Sequence, residues 1–153
     1  MTKRVIQGLD ELRTLIGQPL GTSDWLEVTQ ERVDAFADAT DDHQWIHCDP
    51  ELAERKSPYG TTVAHGFLTL ALSTTLTQQS VAIEGLKMII NYGVNRVRFP
   101  TAVKVGSRVR MSVELVELRE MRAGAQATLK QSFEIEGEPR PACVAETIVR
   151  LFF

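Results

Sequence analysis

Polar and apolar positions alternate with period two over most of the second half of the chain. Val109, Met111, Val113 and Leu115 stand against Arg108, Arg110, Ser112 and Glu114, which predicts a strand with one buried and one wet face. Ala127, Leu129, Phe133 and Ile135 against Gln126, Thr128, Lys130 and Glu134 repeat the pattern, and Val149, Leu151 and Phe153 against Ile148 and Arg150 do so less cleanly. A turn at Met121-Arg122-Ala123-Gly124 lies between the first two, so these strands are consecutive antiparallel neighbours. Residues 87–99 predict a further long strand ended by Pro100, and residues 20–28 add a fifth.

Before about residue 80 the period becomes helical. Thr29 can cap a helix running through Glu31 to Asp38, with acids in its first turns favoured by the helix dipole and Val33, Phe36 and Ala37 on one face. A second helix, from His65-Gly66 to about Gln79, carries Phe67, Leu68, Leu70, Ala71, Leu72 and Leu76 nearly all round, and such a helix must be wrapped. Helices first and strands after are the order of an α+β domain rather than of alternating βαβ units. The expected architecture is one long apolar helix held by a curled antiparallel sheet of about five strands.

Composition narrows the function classes. At 153 residues and 43% hydrophobic, with no internal repeat, low-complexity run or linker, the chain reads as a single domain over 1–153. Its 17 Lys+Arg against 20 Asp+Glu give a formal charge of −3 and no basic face, which argues against a nucleic-acid partner. The start, Met1-Thr2-Lys3-Arg4-Val5-Ile6-Gln7-Gly8-Leu9-Asp10-Glu11, turns polar too quickly for a secretory signal, so the expected location is the cytoplasm. The most apolar stretch, residues 67–76, is interrupted by Thr69, Ser73, Thr74 and Thr75 and is too short for a bilayer, so no membrane partner is expected. Cys48 and Cys143 stand far apart in no metal-like or redox-like pair, as fits reduced thiols.

The candidate chemistry is concentrated in Asp41-Asp42-His43-Gln44-Trp45-Ile46-His47-Cys48-Asp49-Pro50, which puts three acids and two of the three histidines in ten residues after a helix. A carboxylate beside an imidazole fixes the ring's tautomer and raises its basicity, so the pair can hold a water and move its protons near neutral pH. The third histidine, His65, opens the buried helix at Ala64-His65-Gly66, where free backbone N–H groups stabilise negative charge and Gly66 has no side chain to block them. Asp42 and His47 handling a water, with the Gly66 amide on a developing oxyanion, is one arrangement these residues allow. Taken singly, Asp41, Asp42 or Asp49 is better accounted for as a turn or helix cap, and His47 equally well as a satisfied buried histidine. His65 fits a structural or orienting role as well as a catalytic one. His43-x-x-x-His47 has metal-like spacing, but the segment is rich in turn formers rather than helical, which argues against a metal.

The combination Asp42-x-x-x-Ile46-His47-x-Asp49-Pro50, followed by Tyr59-Gly60-Thr61-Thr62-Val63-Ala64-His65-Gly66-Phe67-Leu68, resembles the MaoC-like dehydratase family, which includes the (R)-specific enoyl-CoA hydratases. The likeness runs through residues 91–100 and Val105-Gly106-Ser107, covers about residues 15–153, and is nearest to the nodulation-protein-N-like branch. It implies a hot-dog fold, a homodimer that could assemble further, and hydration of trans-2-enoyl-CoA to (R)-3-hydroxyacyl-CoA or its reverse. It also implies Asp42 and His47 on the water, the Gly66 N–H on the thioester oxygen, acyl-CoA as substrate, and no metal or redox cofactor. The family pattern Asp-x-Asn-Pro-aliphatic-His is altered here, with Gln44 and Trp45 in the Asn and Pro positions. Trp45 is bulky enough to alter the loop or narrow the acyl pocket. Two other functions compete: a thioesterase, against which residues 66–80 hold no Asp or Glu, and a non-catalytic acyl-CoA-binding or partner subunit, against which the Asp42/His47 pair is intact.

Overall fold

Two β-structures and six helices follow one another along residues 3–153, the part described by the computed structural model; Met1 and Thr2 of the polar start lie outside it. In chain order the elements are β1 (Arg4–Ile6), α1 (Gly8–Thr14), β2 (Gln18–Thr22), β3 (Leu26–Glu27), α2 (Gln30–Thr40), α3 (Trp45–Cys48) and α4 (Pro50–Lys56). They continue with α5 (Gly66–Ala71), α6 (Ser73–Ser80), β4 (Val81–Ile83), β5 (Met88–Arg98), β6 (Arg108–Met121), β7 (Gly124–Ile135) and β8 (Cys143–Phe152). The main sheet has six strands in the order β2-β6-β7-β8-β5, with β3 also on β6, and β1 pairs with β4 in a separate parallel ribbon. All pairings in the main sheet are antiparallel.

The three alternating segments became β6, β7 and β8, and the hairpin between the first two closes at Met121 opposite Gly124. Residues 20–28 form two short strands rather than one, which raises the count from the expected five to six. The strand expected over 87–99 is β5, and it lies at the edge of the sheet beside β8. Ribbon β1–β4 and helices α1, α3 and α4 were not anticipated. Short elements of three to seven residues carry too few periods to stand out, and tertiary contact decides them.

The wrapped helix is interrupted at Leu72 into α5 and α6. Ser73, Thr74 and Thr75 follow at once, and β-branched or hydroxylated residues hold a helix poorly. Leu68, Leu72 and Leu76 still form one stripe at a spacing of four, buried against Val109, Met111, Val113 and Leu115 of β6 and Leu129 and Phe133 of β7. The opposite side is not buried as the pattern suggested, since Phe67 is 71% exposed and Ala71 also faces out. That open side looks onto a cleft of about 840 Å³ bounded by Leu70, Thr74, Thr77, Val94, Gln131 and Val149.

Candidate active site

The polar segment is placed by helix ends. At the end of α2, Asp41 adopts the left-handed conformation with φ of 57°, turning the chain so that Asp42 emerges into the loop. The Gln44 carbonyl accepts the N–H groups of His47 at 2.9 Å and Cys48 at 3.3 Å, which winds the next residues into the single turn of α3. Asp49 then caps α4, its Oδ1 accepting from the Leu52 N–H at 2.9 Å, with Pro50 in the first turn. The segment is therefore not the pure turn its composition suggested. Capping accounts for Asp41 and Asp49, and Asp42 alone of the three acids is left beside His47. His43 turns away to Asp38, with Nε2 2.8 Å from Oδ1, so the His43-x-x-x-His47 pair is not brought together on one ligand.

His47 is buried, 8% exposed, and its Nδ1 lies 2.6 Å from the Val63 carbonyl oxygen. A carbonyl can only accept, so Nδ1 carries the proton and Nε2 is left with a lone pair. This corrects the expectation that a carboxylate would set the tautomer; a main-chain carbonyl does so. The backbone of His47 is held from α2, where Gln30 Nε2 donates to the His47 carbonyl at 2.7 Å and to Asp34 Oδ1 at 2.8 Å. Gln30 is in turn fixed by the Thr62 hydroxyl, which donates to its Oε1 at 2.5 Å. Burial is the main cause that lowers the His47 pKa from its ordinary 6.5; the Val63 bond and Asp42 oppose it, while His65 reinforces it.

Asp42 keeps its carboxylate wet, with 56% of the side chain exposed, while an oxygen of it lies within 4.8 Å of a nitrogen of His47 and one of His65. Two hydrogen bonds of about 2.8 Å meeting at a tetrahedral angle span about 4.6 Å, so one water fits between such groups. Gly66 opens α5, and the first main-chain acceptor of that helix, His65 O, takes the N–H of Thr69 at 3.2 Å. The Gly66 amide thus precedes the intrahelical ladder. A Cβ on Gly66 would come 3.0 Å from the Phe99 ring, so glycine lets that ring lie over the helix start. His47 and Gly66 line the same cavity of about 600 Å³, together with Tyr59, Thr101, Glu138 and Arg140. The Thr101 hydroxyl there is buried without a hydrogen-bond partner in the protein. Trp45 lines neither this cavity nor the cleft along α5–α6.

Behind His47 stands His65, 3% exposed, with ring centroids 3.8 Å apart and planes inclined by 27°. Asp42, His47 and His65 make up a cluster of metal-ligand-type atoms among the described residues. The two imidazoles are stacked, however, and lone pairs lie in the ring planes. Planes so nearly parallel converge well beyond the roughly 2.1 Å reach of a histidine–metal bond. The arrangement suits proton transfer better than chelation. Gln30, the Val63 carbonyl and Thr101 were missed at the level of sequence. Gln30 reads there as an ordinary first helical residue, and no local signal marks a carbonyl that a distant ring will use.

An antiparallel sheet around a central helical segment, with His47 and the helix-start residue Gly66 lining one cavity and the Asp42 carboxylate close to His47, fits the class of hot-dog hydratases and dehydratases. The MaoC like domain matches residues 11–134, and the chain belongs to that family; it is a hydro-lyase. It is 51% identical over 148 residues to 3-hydroxyacyl-thioester dehydratase Z of Mycobacterium tuberculosis strain H37Rv, covering 96% of this chain and 97% of that protein. Nodulation protein N of Rhizobium leguminosarum bv. viciae is 45% identical over 147 residues, covering 95% and 91%. Among solved structures, the (R)-hydratase from A. caviae involved in PHA biosynthesis superposes with a TM-score of 0.72 at 28% identity, covering 89% of this chain and 96% of that one.

Proposed function

We propose that the protein adds water across trans-2-enoyl-CoA thioesters to give (R)-3-hydroxyacyl-CoA, or runs the reverse dehydration. The observation that carries this is the free Nε2 of His47, opposite the Asp42 carboxylate and in the cavity that also receives the Gly66 amide. A water bridging Asp42 and His47 gives one proton to Nε2 as its oxygen bonds to C3 of the enoyl chain. Electron density moves to the thioester oxygen, which the Gly66 N–H stabilises. C2 then takes a proton back from the acid–base pair, so the net change is H and OH across the double bond. The step is redox-neutral, and we propose that it needs no metal or organic cofactor. The cleft along the open side of α5–α6 offers mostly apolar walls to an acyl chain.

The unit doing this is read as the whole chain, 1–153, acting as a homodimer in the cytoplasm. The solvent-facing apolar side chains of edge strand β5 support the dimer. Burial pushes the Cys143 thiol up to about 11 and raises that of Cys48 as well, which makes both poor nucleophiles for the reaction.

The test is loss of enoyl-thioester absorbance with crotonyl-CoA and a longer enoyl-CoA in the presence of EDTA, with the product's configuration assigned by coupled dehydrogenases. Wild type should turn over to the (R) product. His47→Ala and Asp42→Asn should each lose on the order of 100-fold or more in kcat, the usual worth of a positioned acid–base group. A folded wild type inactive on every chain length, or a fully active His47→Ala, would sink the proposal.

A further inference from the structure

His65 occupies the N-cap of α5 without capping it, since its side chain makes no hydrogen bond to the helix N–H groups. That position favours Ser, Thr, Asp or Asn, so a histidine there gives up local stabilisation. What it does instead is non-local. Its Nε2 lies 2.9 Å from the main-chain oxygen of Asp42, 23 residues earlier, and must donate to it. Its ring stacks on His47, and Phe36 of α2 tilts against it at 5.0 Å. Its Nδ1 is buried with no partner in the protein, which leaves an unused lone pair there. Nε2 also lies 3.9 Å from the Asp42 carboxylate, so both of its nearest polar neighbours belong to Asp42. The peptide that carries the Gly66 N–H is the one formed by the His65 carbonyl carbon.

We propose that His65 is a positioning residue that fixes all three members of the proposed catalytic set at once: the Asp42 main chain through Nε2–H, the His47 ring plane by stacking, and the Gly66 amide through the shared peptide. This rests on the reading of Asp42, His47 and Gly66 as the reacting groups, and it goes further by assigning their mutual geometry to one side chain. A histidine that merely filled core volume would not need to spend a ring nitrogen on a carbonyl 23 residues away, nor leave the other unpaired.

The charged and titratable groups that face the stacked pair or its cavity are Asp42 from the loop after α2 and Tyr59, Glu138 and Arg140 of the cavity lining, while Asp34 and Asp38 of α2 act on the neighbouring Cys48. After burial, His65 is the group that disfavours a charge on His47, by charge repulsion. A ring that cannot take a charge removes that repulsion and should let His47 protonate more easily.

Two variants separate the contributions: His65→Phe keeps a ring for stacking and loses the donor, while His65→Asn keeps an amide donor and loses the ring. Both should show kcat lowered on the order of 100-fold, the cost of a misplacement of about 1 Å, with KM altered by less than about threefold. In His65→Phe the acid limb of the pH profile, and the midpoint of the His47 ring followed by NMR, should move to higher pH. Circular dichroism identifies whichever variant folds, and that one is read. A folded variant with wild-type kcat, or a His65→Phe protein whose His47 midpoint stays put, overturns the assignment. The NMR measurement needs no substrate. If wild type proved inactive on every enoyl thioester, the proposed activity would fall while the His47 midpoint still decided the role of His65.

Discussion

At the scale of single residues, two histidines four positions apart in sequence are shifted in opposite directions. His43 is raised, first by its hydrogen bond to Asp38, and is exposed; His47 is lowered, first by burial. For His47 the folded protein refuses a proton that the unfolded chain accepts at 6.5, so its contribution to stability is intact above that pH and is lost as pH falls below it. For His43 the sign is reversed: its contribution is present below 6.5 and fades as pH rises through the raised value. For the proposed reaction, the lowering favours an unprotonated Nε2 on His47 at neutral pH. The acid limb of kcat/KM is accordingly expected below 6.5, and a pH–rate profile with that limb above 7 would remove His47 as the base.

Among elements, the β6–β7 hairpin shows how one position can govern a ladder. Gly124 sits at φ of 144°, and a Cβ there would come 1.9 Å from the Leu151 carbonyl oxygen of β8. No L side chain fits without moving the backbone of two strands. Gly124→Ala should lower unfolding stability by on the order of 3 kcal/mol, read from urea denaturation; a change under about 0.5 kcal/mol would mean the hairpin relaxes freely. The hairpin itself was legible, because the turn signal lies between two strongly alternating runs. The split of the central helix was not, since the apolar stripe at 68, 72 and 76 continues across the break. Asp41 and Asp49 are cases where the plain explanation prevailed, as each is used by the end of a helix.

For the whole molecule, β5 presents a row of large apolar side chains to solvent. Ile90 at 42%, Tyr92 at 53% and Val94 at 55% lie on a strand paired only with β8. An apolar open edge invites pairing with another chain. Val94→Lys should shift the protein from dimer to monomer in light scattering coupled to size exclusion, with the fold retained. A wild type already monomeric at micromolar concentration would place the dimer contact elsewhere or remove it. The strand was expected from its pattern, yet nothing in that pattern distinguished a strand beside β6 from an edge beside β8.

The sequence by itself determined the strands β6, β7 and β8, the capped helix α2, the buried leucine stripe and the candidacy of Asp42, His47 and Gly66. Each of these follows from periodicity, turn chemistry or a motif, and all are properties of neighbouring residues. Only the tertiary structure decided which nitrogen of His47 is free, because that depends on the Val63 carbonyl 16 residues on. It alone tied Gln30 to the His47 backbone across 17 residues and His65 to Asp42 across 23. A hydrogen bond to a distant carbonyl leaves no mark on the identity of the residue that supplies the carbonyl, since every residue carries one.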